Sequence, residues 1–181
     1  MHNSYGFDTV KELFSELARN IDGTLLTSEK FEMMKVIKDD VMVEYQFGDQ
    51  DDYFMFVFAT PLNFGYRKFS ISNHKRVLDK LASIFTIGDR VKSISDYYVY
   101  SDENENTIKL LEAVLNDFEY KDCLVNLKNW TIEYENNTLI VYLQKSVEAI
   151  FGDKVTSEEL IQVYEILRDT KRTIEFHVNR I

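Results

Sequence analysis

The stretch NWTIEYENNTLIVYLQ, residues 129–144, admits few folds. Ile132 and Tyr134 alternate with polar neighbours, and Leu139, Val141 and Leu143 alternate on the return. Between them Asn136-Asn137 suits the positive φ of a tight turn. A period of two around such a turn is the mark of an antiparallel hairpin. The same period runs through DVMVEYQF, where Val41, Val43, Tyr45 and Phe47 share one face. FEMMKVI, joined to it through Lys38-Asp39-Asp40, reads as its hairpin partner. YFMFVFAT is apolar on both faces, as expected of a central strand, and RKFSIS adds a fourth strand with Phe69 and Ile71 inward. Four strands in sequence predict a meander.

Helical spacing takes over elsewhere. Asp8 is placed to cap a helix whose apolar face is Val10, Leu13, Phe14 and Leu17, ending near Asn20 before Gly23. Asn73 is placed to cap a second through HKRVLDKLASIF, which Gly88-Asp89 breaks. DYYVYS is a short strand leading into a helix that ends near Asn116. The last 25 residues, from Ser157 as cap, repeat Leu160, Tyr164, Leu167, Ile174, Val178 and Ile181 at helical spacing. The expected fold class is α+β: a mainly antiparallel sheet, meander plus hairpin, packed against several helices, the C-terminal one long. A single domain over residues 1–181 is expected, and the element order also fits two related halves meeting near residue 88.

Composition narrows the function classes. The chain has 45% apolar residues, enough for a core without staples, and its single cysteine, Cys123, allows no internal disulfide. With 21 Lys and Arg against 31 Asp and Glu, the net charge is −10, and the basic residues are scattered. A phosphate backbone calls for a basic stripe, so nucleic acid is not an expected partner. A protein with a basic surface is electrostatically easier. MHNSYGFDTV has no secretion-signal pattern, and the longest apolar run, Phe54–Ala59, is far short of the roughly 20 residues that span a bilayer. A soluble, cytoplasmic protein with no membrane partner is the expectation.

Ser101–Leu111, SDENENTIKLL, looks at first like a calcium loop, with Asp102, Asn104 and Asn106 at alternate positions. An EF-hand starting at Asp102 needs Gly at its sixth position and Glu at its twelfth; Thr107 and Ala113 stand there. The competing reading is a helix start capped by Ser101 or Asp102, with Glu105 near the positive end of the dipole. GDQDD, Gly48–Asp52, fails the same test, because Phe54 and Thr60 occupy the two positions. His2, His74 and His177 form no metal-ligand spacing, and Cys123 in YKDCLVNL reads as a packing residue. No metal and no cofactor is expected. GxSxG, GxxxxGK[ST] and GxGxxG are all missing from the sequence, which leans away from an enzyme. The sequons at Asn129 and Asn136 read as strand and turn residues.

Candidate binding residues follow from aromatic and loop chemistry. Trp130 and the cluster Tyr97, Tyr98 and Tyr100 have the side chains that anchor interfaces. Asp89, after Gly88, sits in a loop able to present an acid to a cleft. Gly88-Asp89 followed by YYVYSDE also resembles a class of uncharacterised bacterial α+β domains, which carry Gly-Asp and then a strand entering Ser-Asp at a helix start. This chain lacks the Phe-Asp pair of that class and its spacing differs by one residue. The resemblance implies a strand-helix-hairpin-helix layout and no activity.

The function expected is a non-catalytic protein-binding module, immunity-like or regulatory. The alternatives are a small-molecule enzyme with a carboxylate-based site, involving His74 or Asp89, and a structural domain that self-associates through the final helix.

Overall fold

In a computed structural model, which describes residues 4–28, 33–47, 53–63, 65, 67–72, 89–91, 97–102, 104–117, 124, 130–146 and 155–179, alternation and helical spacing sort the described residues into twelve elements. In order they are α1 (Ser4–Asn20), β1 (Thr24–Ser28), β2 (Met33–Lys38), β3 (Val41–Phe47), β4 (Tyr53–Pro61), β5 (Phe69–Ser72) and β6 (Asp89–Arg90). Then come β7 (Tyr98–Ser101), α2 (Glu105–Leu115), β8 (Trp130–Glu135), β9 (Thr138–Ser146) and α3 (Ser157–Val178). The fold is α+β with antiparallel strands and a long C-terminal helix. The helix expected over HKRVLDKLASIF, the GDQDD turn and Cys123 lie outside the described residues. The chain forms two compact units, residues 1–60 with 142–165 and residues 61–141 with 166–181. The division thus falls between Thr60 and Pro61, and β9 and α3 contribute residues to both units.

In the first unit β1, β2, β3 and β4 form the meander. Its first strand is TLLTS, which the sequence pattern does not reveal, and RKFSIS is not part of it. Met34, Val36, Val43, Phe56 and Phe58 share one face and are fully buried. α1 presents Val10, Phe14 and Leu17 to this core, with Ala18 in place of the expected Leu13, and the Phe14 and Phe56 rings stack at 6.1 Å. Helix α1 begins a turn before Asp8, which lies inside it instead of at its cap. It ends in a Schellman-type turn: Gly23 N–H donates to the Ala18 carbonyl at 2.7 Å, and Asp22 takes the left-handed conformation, φ 54°. Space at Gly23 is tight, since a Cβ there would stand 3.0 Å from Val36 Cγ1 and 3.1 Å from the Ile37 carbonyl, so either neighbour would have to shift.

In the second unit β5 lies between β8 and β7, and β6 flanks β7. Phe69 and Ile71 face inward as expected, but Ser70 and Ser72 are equally buried, so β5 is covered on both faces. The Asn136-Asn137 turn has φ 52° and 59°, both left-handed, as a two-residue turn of the I′ kind demands. Tyr134 Oη donates to the Asn137 side-chain oxygen and to the Gly65 carbonyl, each at 3.2 Å. α2 buries Thr107, Leu110, Leu111, Val114 and Leu115. Helix α3 starts in the first unit, capped by Thr156, whose Oγ1 accepts from Glu159 N–H at 3.2 Å, one residue before the expected Ser157. Its stripe Leu160, Tyr164, Leu167 and Ile174 is buried, whereas Phe176 and Val178 are exposed.

Candidate functional site

Four of the five expected binding residues fall on or beside β7. Val99 and Ser101 are buried there, and Tyr98 and Tyr100 share the opposite face, half-buried. Asp89 pairs across from Ser101 on β6, whose backbone joins the ladder, so it belongs to a strand and not to a loop. Tyr97, just before β7, puts its ring 5.8 Å from the indole of Trp130. Trp130 itself is 1% exposed. A lone aromatic next to a hairpin has no sequence signature that separates core from surface, and here it belongs to the core.

The register adds residues that sequence reasoning passes over. Tyr100 stands opposite Ser70, and Ser70 opposite Glu133; Tyr98 stands opposite Ser72, and Ser72 opposite Thr131. Residues directly opposite one another share a face. Hydroxyls of Ser70, Ser72 and Thr131, all buried, therefore line the same face as Tyr98 and Tyr100. Ser70 Oγ has no hydrogen-bond partner among the described residues. Serines in RKFSIS gave no hint of burial, because only the pairing of β5 on both edges places them inside.

The calcium-like triplet is spent on structure. Asp102 accepts from the Lys68 N–H at 3.4 Å and returns its own N–H to the Lys68 carbonyl at 3.1 Å, prolonging the β5–β7 ladder by one step. Asn104, and not Ser101 or Asp102, is the N-cap of α2, its side chain accepting from Asn106 N–H at 3.0 Å. The Asp102 and Asn104 side chains are thus held by the backbone N–H groups of two different residues, Lys68 and Asn106. Among the described residues no three His, Cys, Asp or Glu side chains converge as a metal site. His177 Nε2 lies 3.6 Å from Asp117 Oδ2, a single pair on the second unit.

A second surface emerges on the first unit, on the meander face opposite the one that carries Met34, Val36 and Val43. Ile37 lies between Thr24 and Met42 in register, and Lys35 between Leu26 and Glu44. Leu26 is 43% exposed and Ile37 38%, diagonal neighbours on one face, with Met42 half-buried beside them. Lys35 pairs with Glu44 at 3.1 Å within this face. At the Thr24 end Asp22 pairs with Lys38 at 3.1 Å, and that carboxylate, as the nearest hydrogen-bond partner, holds the Lys38 ammonium above its ordinary pKa. Strand β1 is the edge of the meander among the described residues.

Charge is divided unequally between the units. The first has 17 Asp and Glu against 7 Lys and Arg; the second has 14 of each. The whole net charge of −10 therefore belongs to the unit that exposes Leu26 and Ile37. No helix among the described residues is long and apolar enough to cross a membrane. Set against known protein families, curated proteins and solved structures, the chain matches none.

Proposed function

We propose that the chain is a non-catalytic protein-binding module, of an immunity-like or regulatory kind, whose partner has a basic surface. The observation that carries this reading is the coincidence of the exposed Leu26 and Ile37 with the unit that holds all of the net negative charge. Apolar centres with a charged surround are what specific interfaces use, the charge setting partner choice and the rate of encounter. The test is a pull-down with the tagged full chain from lysate of its native organism, read by mass spectrometry at low and moderate salt. A stoichiometric basic protein that weakens with salt is the expected result. A blank, together with a metabolite that raises the melting temperature, would overturn it.

The alternative, a carboxylate-based enzyme acting on a small molecule, has one observation on its side. Glu133 stands in register with Ser70 and Tyr100 on a face where a buried hydroxyl has no hydrogen-bond partner among the described residues. Thermal-shift screening of metabolites against Glu133→Gln and the unaltered chain separates the two readings.

A further inference from the structure

Edge strands usually carry their own protection: a lysine, a proline, a bulge or shortness. The two-residue β6, Asp89–Arg90, is short and charged. β1 has none of these devices. Its five residues, TLLTS, carry no charge and no proline, and all five pair with β2 in unbroken register from Thr24–Ile37 to Ser28–Met33. Among the described residues no strand lies on its other side. Leu26 is exposed at its centre, and Ile37 adjoins it on the neighbouring strand. Resting on the reading of the chain as a binding module, we infer that β1 receives an extended, basic segment of a partner protein as an added strand.

Three features select that occupant. An unpaired edge offers a row of backbone N–H and carbonyl groups, which an extended segment satisfies without demanding a particular sequence. Alternation then places every second side chain of the added strand on the face of Leu26, and an apolar group is favoured at the position across from it. The charge favours cations in the remaining positions: Asp22, Asp39 and the other acids of this unit outnumber its bases 17 to 7. The same imbalance disfavours a second copy of the chain, which would bring an identical acidic unit to the same edge. Nucleic acid is disfavoured on the same ground.

The probe is a displayed library of random 12-residue peptides selected on the full chain at low salt, with the enriched peptides synthesised and titrated. Hydrogen exchange of the backbone amides then locates binding. The expected result is enrichment of peptides alternating apolar and Lys or Arg residues, slower exchange at Thr24–Ser28, and affinity that falls at least several-fold as salt rises from low to physiological. Leu26→Lys, at an exposed position that installs an edge-guarding lysine, is expected to weaken binding tenfold or more. Phe176→Lys, on α3 in the second unit, is expected to leave it unchanged. Peptides that bind without slowing exchange at β1, or that are indifferent to Leu26→Lys, would overturn the edge as the site and leave the binding-module reading standing. No enrichment, or a β1-dependent dimer in sedimentation, would overturn the added strand as well. A native partner captured equally by the unaltered chain and by Leu26→Lys has the same meaning, whereas no native partner at all counts against the binding module itself.

Discussion

Asp102 and Lys68 exchange two hydrogen bonds in which a carboxylate takes the part of a backbone carbonyl. The Lys68 N–H reaches Asp102 Oδ2 at 3.4 Å, and the Asp102 N–H reaches the Lys68 carbonyl at 3.1 Å. The residue that most resembled a metal ligand is thereby the terminal rung of a ladder. Asp102→Ala is expected to lower stability by about 1–2 kcal/mol, the scale of a lost part-buried hydrogen bond to a charged acceptor. Asp102→Asn, which keeps an acceptor oxygen, should recover much of that. Calcium added at millimolar concentration is expected to leave the melting temperature unchanged; a calcium-dependent rise lost in Asp102→Ala would contradict the structural role.

The Asn136-Asn137 turn supplies a test in which sign matters. Asn136 has φ 52° and its side chain is exposed, so glycine fits without strain and a β-branched residue does not. Asn136→Gly is expected to be neutral or slightly stabilising. Asn136→Val should cost about 1–2 kcal/mol, the penalty for forcing a side chain into the left-handed region. Urea midpoints at constant slope decide the comparison.

Neighbouring positions at the end of α1 should respond in opposite directions. Gly23→Ala places a methyl 3.0 Å from Val36 Cγ1 and 3.1 Å from a backbone carbonyl that has little room to yield, and is expected to cost about 1–3 kcal/mol. Asp22→Gly relieves a left-handed non-glycine residue at a gain of roughly 0.5–1 kcal/mol, while losing an exposed pair with Lys38 of small worth. Thermal unfolding of the two variants should bracket that of the parent.

Glu105 and Lys109, one turn apart on α2, pair at 2.8 Å. The hydrogen bond to Lys109 holds Glu105 below its ordinary value of 4.5, and the reciprocal bond raises Lys109 above 10.5. A lowered acid pKa favours the folded state above the unfolded value, and that contribution disappears as pH falls through the folded one. For Lys109 the sign reverses: the contribution is complete below 10.5 and is lost as pH rises through the raised value. Lys109→Met is expected to move the Glu105 titration upward in a carboxyl-detected NMR experiment. An unmoved Glu105 would show the pair to be broken in solution.

Trp130 and Tyr100 separate core from surface. The only tryptophan is buried, so its emission should be blue-shifted and insensitive to iodide, and Trp130→Ala should cost about 3–5 kcal/mol. Tyr100, half-buried, should cost less on truncation. If the β7 face contributes to partner capture, Tyr98→Ala and Tyr100→Ala will reduce it while Trp130→Phe will not; quenching by iodide would place the indole at the surface instead.

Legibility in the sequence tracked the physics that each element relies on. The Asn136-Asn137 hairpin and the Asp39-Asp40 hairpin announce themselves because alternation and turn chemistry are local. β1 does not: Leu25 and Leu26 are adjacent and Thr24, Thr27 and Ser28 carry no period, so only its pairing with β2 makes it a strand. The caps of α2 and α3 fell at Asn104 and Thr156, one to three residues from where the sequence pointed, because Asp102 was engaged by Lys68 and Thr156 competed with Ser157. Burial of Trp130, Ser70 and Ser72 is a tertiary fact, decided by strands far away in the chain. The division of charge was written in the sequence throughout, but it has no meaning until the units are known.

The order in which the chain is made has a consequence for the first unit. Its meander, complete by Thr60, is joined by residues 142–165 only after residues 61–141 have been synthesised. At roughly 5–20 residues per second that interval is several seconds to more than ten, during which the newborn strands wait without their last segments. For that time TLLTS and the apolar face around Leu26 are presented by an incomplete unit. A chaperone acting during synthesis would meet this edge before residues 142–165 have emerged.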